Sequence, residues 1–263
     1  MNVKLHYIMR LFLYIRFMRL IILLILINLN SSINYIPNCL NCSNDNDFSV
    51  LVLTETADYV HESIDTGIEL IKKIGDRNKF NVYHSDDSSV INYNNLENIK
   101  TLIFLNTTAD ILSDEEQLVM EKFIRSGKGY VGIHSASDTE YGWKWYGELV
   151  GGYFKSHPDG TTTAKVLKIE NGRFSKHLEP VWEIEDEWYN YNYTNDSINV
   201  ILELDEESYY GGENGDYHPI TWYHNYDGGR SFYTGLGHLK EVYSNKMFIK
   251  LLEQGILYAS FVD

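Results

Sequence analysis

Residues 129–138, "GYVGIHSASD", decide the fold of this 263-residue chain. An apolar run, a tight turn and polar residues that can open a helix follow one another there. Several α/β enzymes place a serine or cysteine nucleophile at such a strand-to-helix turn, as in the pattern G-x-S-x-G. His134 occupies that position here. The stretch therefore predicts the scaffold of such an enzyme with an imidazole in place of the nucleophile.

The residues before this stretch alternate between strand and helix patterns. Apolar runs predict strands at 48–54, 80–84 and 101–106, and helical spacing of apolar residues predicts helices at 62–75 and 113–127. The first helix is expected to end on Gly75, and the second begins with a capping box of Ser113 and Glu116. This alternation predicts a doubly wound α/β fold whose ligands bind outside the carboxyl ends of the strands.

The second half of the chain is rich in glycine and aromatic residues. Short β segments are expected around 161–170, 200–204, 220–224 and 230–234, and a final helix is expected from about 244 to 258. No second linker interrupts this half, so residues 48–263 are expected to form one domain.

The first 32 residues have the pattern of a secretory signal peptide. Four basic residues precede an apolar run at 20–29, and small polar residues follow it. Ten residues are too few to span a bilayer, which takes about 20. Apolar character extends back to Leu11, however, so a membrane anchor over 11–29 is the alternative. An Asn-rich linker at 33–47 comes next, and we expect a secreted or secretory-pathway protein that meets a membrane only through an uncleaved leader.

The cysteines and the sequons fit that compartment. Cys39 and Cys42 are the two cysteines of the chain, and a local disulfide is favoured over a redox pair because they lie in the linker. Asn-x-Ser/Thr sequons occur at Asn30, Asn41, Asn106, Asn192 and Asn195. In a secreted glycoprotein, several of these could carry glycan.

The formal net charge of −15 restricts the partners. A strongly acidic surface repels nucleic acid and anionic lipid, so neither is expected to bind. A small neutral or cationic ligand suits the charge, and the oligomeric state stays open.

Five of the nine histidines lie where strands meet loops or loops meet helices, which is where sites are built in such folds. These five are His61, His134, His157, His218 and His238. A single histidine at such a junction is more often a hydrogen-bonded packing residue. Several of them beside carboxylates, however, are what a metal site or an acid/base site requires.

Other candidate residues surround these histidines. Asp186 and Glu187 point to opposite sides if they are strand-like, so only one of them is expected to face the site. Tyr189 lies on the same segment, and Arg230 is part of the glycine-rich stretch "GGRSFYTGLGH". Trp143 is either a core residue or an aromatic contact for a sugar.

Together these motifs resemble the ThuA-like (trehalose utilisation) family over residues 48–263. The motifs are, in order, "HESI" at 61–64, "GIHSASD" at 132–138, "WKWYGELVGGYFKSHP" at 143–158, "DEWYNY" at 186–191, "YHPITWYH" at 217–224 and "GGRSFYTGLGH" at 228–238. The resemblance implies a flavodoxin-like three-layer α/β/α sandwich with a mostly parallel central sheet, related to class I glutamine amidotransferases. Those enzymes carry a cysteine at the turn that His134 occupies here. The domain has no cysteine, so glutaminase chemistry through a thiol is excluded.

The resemblance also implies a carbohydrate ligand, either a trehalose-type disaccharide or a keto-sugar derivative. It would be transformed by metal-assisted or histidine-mediated proton transfer. The implied catalytic residues are His134, His61, Glu187 and Asp186, and the implied substrate-binding residues are His157, Tyr189, His218, Arg230 and Trp143. A divalent ion, Zn or Mn, would be held by His61, His134 and His238, and no nucleotide cofactor is expected. The alternative is a non-catalytic extracellular sugar-binding domain, so whether the protein is an enzyme stays open.

Overall fold

The computed structural model describes residues 48–170 and 172–262. The expected leader (1–32), the linker (33–47), both cysteines and the sequons at Asn30 and Asn41 lie outside these residues. Within the described part of the chain, no helix combines the length and the apolar character needed to cross a membrane.

The described residues contain eleven strands and five α-helices. The strands are β1 (Phe48–Leu53), β2 (Phe80–Ser85), β3 (Ile99–Leu105), β4 (Gly129–Ile133), β5 (Gly152–Ser156), β6 (Thr162–Lys168), β7 (Val181–Asp186), β8 (Asn190–Tyr193), β9 (Asn199–Asp205), β10 (Pro219–Tyr226) and β11 (Gly229–Thr234). The helices are α1 (Ile64–Asn78), α2 (Tyr93–Leu96), α3 (Asp114–Arg125), α4 (Lys144–Val150) and α5 (Lys246–Ala259).

Nine of these strands form one sheet in the order β2-β1-β3-β4-β11-β10-β9-β6-β7. The first five run parallel to one another, and the pairings from β11 to β7 are all antiparallel. Strands β5 and β8 form a separate antiparallel ribbon. The predicted α/β fold with extra strands in the second half is thus confirmed, and four of those extra strands extend the central sheet.

The two halves of the sheet differ in sequence because they differ in burial. Strands β1 and β4 are buried along their whole length and are almost continuously apolar, as expected for strands covered on both faces. Strand β7, "VWEIED", alternates between exposed and buried residues, which is typical of an antiparallel strand with one face towards solvent.

Helices cover both faces of the parallel half. On β11, Phe232 packs against Gly255 of α5 on one face. The neighbouring Ser231 donates a hydrogen bond to the carbonyl of Leu149 in α4 on the other face (2.6 Å). Since successive strand residues point to opposite faces, α5 and α4 lie on opposite sides of the sheet. The predicted three layers are therefore present.

The helix limits confirm one prediction and correct another. Helix α3 begins with the predicted capping box, in which both hydrogen bonds between Ser113 and Glu116 are present. Helix α1, in contrast, does not end on Gly75 but continues to Asn78, and Lys79 takes the left-handed conformation (φ 56°) that ends it. Gly75 instead allows close packing, because a Cβ there would lie 2.8 Å from the carbonyl oxygen of Phe80.

Candidate metal centre

Four candidate residues follow strands that end at the same edge of the sheet. His61 comes after β1, His134 directly after β4 and His238 after β11, all of them parallel strands. Four antiparallel pairings separate β11 from β7, so β7 runs in the same direction as β11. Glu187, which follows β7, therefore also leaves the sheet at this edge.

The antiparallel half must curve for Glu187 to reach the histidines. In a flat sheet, four strand spacings would separate β7 from β11 by about 19 Å. Yet Asp186, the last residue of β7, accepts a hydrogen bond from the backbone N–H of Gly237 just after β11 (2.7 Å). The curvature of the sheet thus brings the end of its last strand over the end of its central one.

His61, His134, Glu187 and His238 form a compact cluster, which we call the donor cluster. Each offers one ligand atom, and these atoms all lie within 4.8 Å of one another. The three imidazole rings lie edge to face, with centroids 4.8, 5.2 and 5.3 Å apart. Three imidazoles and a carboxylate are ligands that Zn²⁺ and similar divalent ions accept. This buried group could therefore hold a metal ion.

The hydrogen bonding of His134 leaves a lone pair free for a metal. Its Nδ1 lies 2.8 Å from the carbonyl oxygen of Gly235, which can only accept, so Nδ1 carries the proton. In the neutral ring the lone pair is then on Nε2, which is buried without a hydrogen-bond partner. A backbone carbonyl that fixes the outer nitrogen in this way is the usual support of a metal-binding histidine.

Glu187 brings a carboxylate to the same point. Its Oε2 lies 3.4 Å from Nε2 of His134 and 3.1 Å from Nδ1 of His238, but neither contact has the alignment of a hydrogen bond. Buried polar atoms without partners cost free energy, so native proteins rarely keep them without a role. These unpaired nitrogens around one carboxylate fit the coordination of a cation.

The electrostatics of the cluster favour ligand-competent protonation states of His61 and Glu187. Burial lowers the pKa of His61 to about 2, and the neighbouring His134 and His238 act in the same direction. Burial alone would raise the pKa of Glu187, but its contacts with His134 and His238 outweigh burial and hold that pKa well below its usual range. Likewise, burial opposes a charge on His238, yet the contact with Glu187 prevails and raises its pKa. His61 is therefore neutral and Glu187 is ionised at neutral pH.

The backbone of His134 is strained. Its φ angle of 50° lies in the left-handed region, which is unfavourable for a residue with a Cβ. The hydroxyl of Tyr233 donates to the carbonyl of His134 (2.8 Å) and helps to hold this conformation. Strain of this kind persists where a side chain must be aimed, and here it aims the imidazole into the donor cluster.

Asp186 supports the cluster rather than contributing a ligand atom to it. Its carboxylate is fully buried and accepts hydrogen bonds from the backbone N–H groups of Gly237 (2.7 Å) and Leu239 (3.0 Å), on either side of His238. Burial raises the pKa of Asp186, while His134 and these backbone groups oppose the rise. The sequence places Asp186 among the expected catalytic residues, and in the structure its carboxylate holds the His238 loop.

The same loop is joined to the segment that carries His61. The carbonyl of Gly237 accepts hydrogen bonds from the hydroxyls of Ser63 (2.8 Å) and Tyr243 (3.0 Å). Gly237 has a φ of 127°, a conformation that suits glycine. The positions of His61 and His238 are therefore coupled through one peptide unit.

Two of the expected substrate-binding residues lie beside the cluster. Nδ1 of His157 is 3.4 Å from Oε1 of Glu187, and its side chain is partly exposed. The ring of Tyr189 packs on His134 with centroids 4.3 Å apart.

The structure does not bring His218 or Arg230 to the cluster. Both ring nitrogens of the buried His218 are engaged, Nδ1 with Glu206 (2.7 Å) and Nε2 with the carbonyl of Tyr189 (2.8 Å), so it packs beneath the site. Arg230 pairs with Gly129 at the amino ends of β11 and β4, which is the opposite edge of the sheet.

Trp143, the last of the expected substrate-binding residues, packs on other aromatic side chains. Its ring stacks on those of Trp145 and Tyr146 at the start of α4, with centroids 4.9 and 6.0 Å apart. Because Trp143 is only partly buried, this aromatic stack lies at the rim of the core.

Asp138 was not among the candidates from sequence, although it ends the quoted stretch "GYVGIHSASD". It closes the 3-10 helix that begins with His134 and accepts a hydrogen bond from the hydroxyl of Tyr141. Burial raises its pKa, and the charge of Asp58 adds to the rise, while Tyr141 and the nearby imidazoles oppose it. A carboxyl four residues after His134 was the signal that could have revealed it.

One known protein family matches nearly all of the described residues. The ThuA family, described as trehalose utilisation, matches residues 49–259. The chain belongs to the ThuA family. This membership supports a carbohydrate-related role in general. No curated protein sequence matches the chain.

Solved structures share the fold. A ThuA-like protein from Bacteroides uniformis is 20% identical with a TM-score of 0.69, over 85% of this chain and 95% of that one. A ThuA-like protein from Parabacteroides merdae is 15% identical with a TM-score of 0.64, over 82% of this chain and 91% of that one. A β-galactosidase from Bacillus circulans is 10% identical with a TM-score of 0.56, over 83% of this chain but 32% of its own. At these identities the likeness is one of fold.

The support role of Asp186 can be tested by metal affinity. We expect Asp186→Asn to bind Zn²⁺ about 10–100 times more weakly than the wild type, because the amide cannot accept from both N–H groups that hold the His238 loop. Competition with a chromogenic chelator measures this, and circular dichroism checks the fold. Glu183→Gln, an exposed carboxylate on the same strand, is the matched control. Equal affinity in Asp186→Asn and Glu183→Gln would contradict the assigned role.

Proposed function

We propose that this ThuA-family protein transforms a neutral carbohydrate, a trehalose-type disaccharide or a keto-sugar derivative, by proton transfer beside a divalent ion. The observation that carries the proposal is the donor cluster, in which Nε2 of His134 is buried without a hydrogen-bond partner while Nδ1 is engaged by the carbonyl of Gly235. His61, His134, His238 and Glu187 would hold the ion. A divalent ion at this point would polarise a sugar carbonyl, which makes the neighbouring C–H bond more acidic.

The nature of the donors supports Zn²⁺ or Mn²⁺. All four side chains offer nitrogen or oxygen, and the domain contains no thiolate. Imidazole suits zinc and related transition metals, and carboxylate suits manganese as well. His61, which burial keeps neutral, competes little with protons for the ion.

Asp138 is well placed to move the proton. Its half-buried carboxyl belongs to the last residue of the 3-10 helix that begins with His134, and the imidazoles of His134 and His157 interact with it electrostatically. Burial raises its pKa towards the pH at which a general base works best. As the C–H bond next to a carbonyl breaks, its electron pair forms a C=C bond, the carbonyl π pair moves to oxygen, and the proton goes to Asp138. The oxygen of the former carbonyl then takes the proton of the hydroxyl on the deprotonated carbon, and that hydroxyl oxygen becomes the new carbonyl. Asp138 returns its proton to the former carbonyl carbon, which completes an isomerisation.

The geometry argues against an ordinary glycosidase mechanism. Such enzymes use two carboxyl groups on opposite sides of the scissile bond. Asp186 is occupied by two backbone N–H groups, and Glu187 faces the imidazoles of the donor cluster. Neither carboxylate is free to flank a glycosidic bond.

Elemental analysis tests the metal. We expect near-stoichiometric zinc or manganese in the purified protein, produced without a histidine tag, and a large loss in His134→Ala because the ligand with the free lone pair is gone. His84→Ala, which changes an exposed histidine on β2, should keep its metal. Wild-type protein that takes up no divalent ion would contradict the metal-assisted reaction. Sugar titration would then distinguish histidine-mediated chemistry from the non-catalytic sugar-binding alternative.

Hydrogen exchange tests the proton transfer. The metal-loaded protein is incubated in D₂O with keto-sugars, such as fructose and a 3-keto derivative of trehalose, and NMR follows exchange at the carbon next to the carbonyl. We expect Asp138→Asn to slow exchange by roughly 10²–10⁴-fold, since the amide cannot take a proton. Its metal content should stay at the wild-type level. Asp76→Asn, at an exposed carboxylate of α1, is the control, and unchanged exchange in Asp138→Asn would exclude Asp138 as the base.

We also propose that the protein enters the secretory pathway, through the leader at 1–32 or an anchor at 11–29. The three sequons among the described residues differ in accessibility. Asn192 is exposed on β8, whereas Nδ2 of Asn195 donates to the carbonyl of Glu148 (3.0 Å). Asn106 is fully buried, and its Nδ2 donates to Ser63 (2.8 Å).

Glycan mapping tests this compartment. In protein secreted from a eukaryotic host, we expect glycan on Asn192 and none on Asn106, because a buried amide cannot carry a sugar in this fold. Enzymatic deglycosylation and peptide mass spectrometry measure it, with Asn192→Gln as the variant that loses the modification. An unmodified Asn192 in secreted protein, or glycan on Asn106, would contradict the expectation.

A further inference from the structure

An exposed aromatic side chain lies directly beside the donor cluster. Tyr59 is 56% exposed, although its ring centroid is only 4.8 Å from that of His61. Its ring is also nearly parallel to that of His238, at 12° and 6.4 Å. A large aromatic face left open to solvent next to a buried polar site is a feature of ligand-binding surfaces.

The loop that presents Tyr59 is firmly attached to the scaffold. The hydroxyl of Thr108 donates to the carbonyl of Tyr59 (3.1 Å) and accepts from the N–H of Asp58 (3.3 Å). The N–H of Ala57 donates to the carbonyl of Thr108 (3.0 Å). Tyr59 is thus presented by a preorganised backbone, and a ligand that binds its ring pays little to order the loop.

A second exposed tyrosine contacts Asp138. Tyr141 is 46% exposed, its hydroxyl donates to Asp138 and lies 3.1 Å from the carbonyl oxygen of Phe154, and its ring stacks on Tyr153 at 5.1 Å. Tyr141 is therefore held as firmly as Tyr59.

The two tyrosines are linked through a pair of carboxylates. The N–H of Asp58, which precedes Tyr59, donates to the hydroxyl of Thr108 (3.3 Å), and the N–H of the next residue, Ala109, donates to the carbonyl of Asp138 (2.8 Å). The segments that carry the two acidic groups are therefore neighbours. The mouth of the donor cluster thus combines two aromatic faces with two carboxylates. Aromatic faces pack on the C–H face of a sugar ring, and carboxylates accept hydrogen bonds from its hydroxyls.

We propose that Tyr59 and Tyr141, together with Asp58 and Asp138, form a subsite for an uncharged sugar ring at the mouth of the donor cluster. This inference rests on the proposed function, because it places the sugar whose reacting part would lie at the cluster. The subsite discriminates by charge. Hydroxyl groups satisfy the two carboxylates, whereas a phosphorylated or acidic sugar brings a negative charge to them and is repelled.

Calorimetric titration of the zinc-loaded protein tests the subsite, with trehalose, its 3-keto derivative and trehalose 6-phosphate as probes. We expect Tyr59→Ala to bind the neutral probes about tenfold more weakly, because tenfold corresponds to about 1.4 kcal/mol, which is within the range of an aromatic contact. Tyr59→Phe keeps the ring and should bind as the wild type does. Tyr210→Ala, at a tyrosine that is 93% exposed on another loop, should leave the affinity unchanged.

The charge discrimination has its own readout. The wild type should bind trehalose 6-phosphate at least tenfold more weakly than trehalose. Asp58→Asn should reduce this ratio of dissociation constants, whereas Asp76→Asn should leave it unchanged. Zinc content is measured for every variant, so that loss of sugar binding through damage to the donor cluster is recognised.

The outcomes separate the two proposals. Weaker binding in Tyr59→Ala, with zinc retained and Tyr59→Phe intact, supports the subsite. Equal affinity in the wild type and Tyr59→Ala overturns the subsite and leaves the proposed function standing. Equal binding of trehalose and its phosphate by the wild type overturns the charge discrimination. Failure of the wild type to bind any neutral probe overturns the subsite and the proposed function together.

Discussion

The carboxylate of Asp186 holds the site together, because it accepts hydrogen bonds from two backbone N–H groups of the loop that carries His238. These bonds tie the last strand of the sheet to the loop after its central strand. They also place the next residue, Glu187, among three imidazoles. Two adjacent acidic residues thus have different tasks: Asp186 supports the loop, and Glu187 contributes a ligand atom.

Several features of this site are unfavourable for folding. His134 has a left-handed backbone, and so does Asn106, which follows the neighbouring strand β3 and bonds to the same loop. Two ring nitrogens of the donor cluster are buried without hydrogen-bond partners. A fold optimised for stability alone would avoid such features, so their concentration at one edge of the sheet is the physical sign of a functional site. The exposed Tyr59 and Tyr141 and the half-buried Asp138 belong to loops at this edge of the sheet.

Much of the scaffold was predictable because its signals are local. The buried parallel strands are continuously apolar, helix α3 begins with a capping box, and the elbow after β4 lies where the turn pattern predicted it. Strand β7 could have been found from the alternation of apolar and acidic residues over Trp182–Glu185. The end of α1 was predicted wrongly because Gly75 has a packing role that involves Phe80, a residue outside the helix.

The sequence by itself determined the α/β class, the family resemblance and the replacement of a nucleophile by His134, because these depend on residue order and short-range spacing. Tertiary structure alone decided which candidates meet. His157 and His218 share a His-Pro context, yet one contacts Glu187 and the other is sequestered between Glu206 and Tyr189. Arg230 and His238 belong to one motif, but strand β11 places them at opposite edges of the sheet, since its six residues span about 20 Å. Glu187 reaches the cluster only because the antiparallel half of the sheet curves, and curvature of that kind is a property of the whole sheet rather than of any segment.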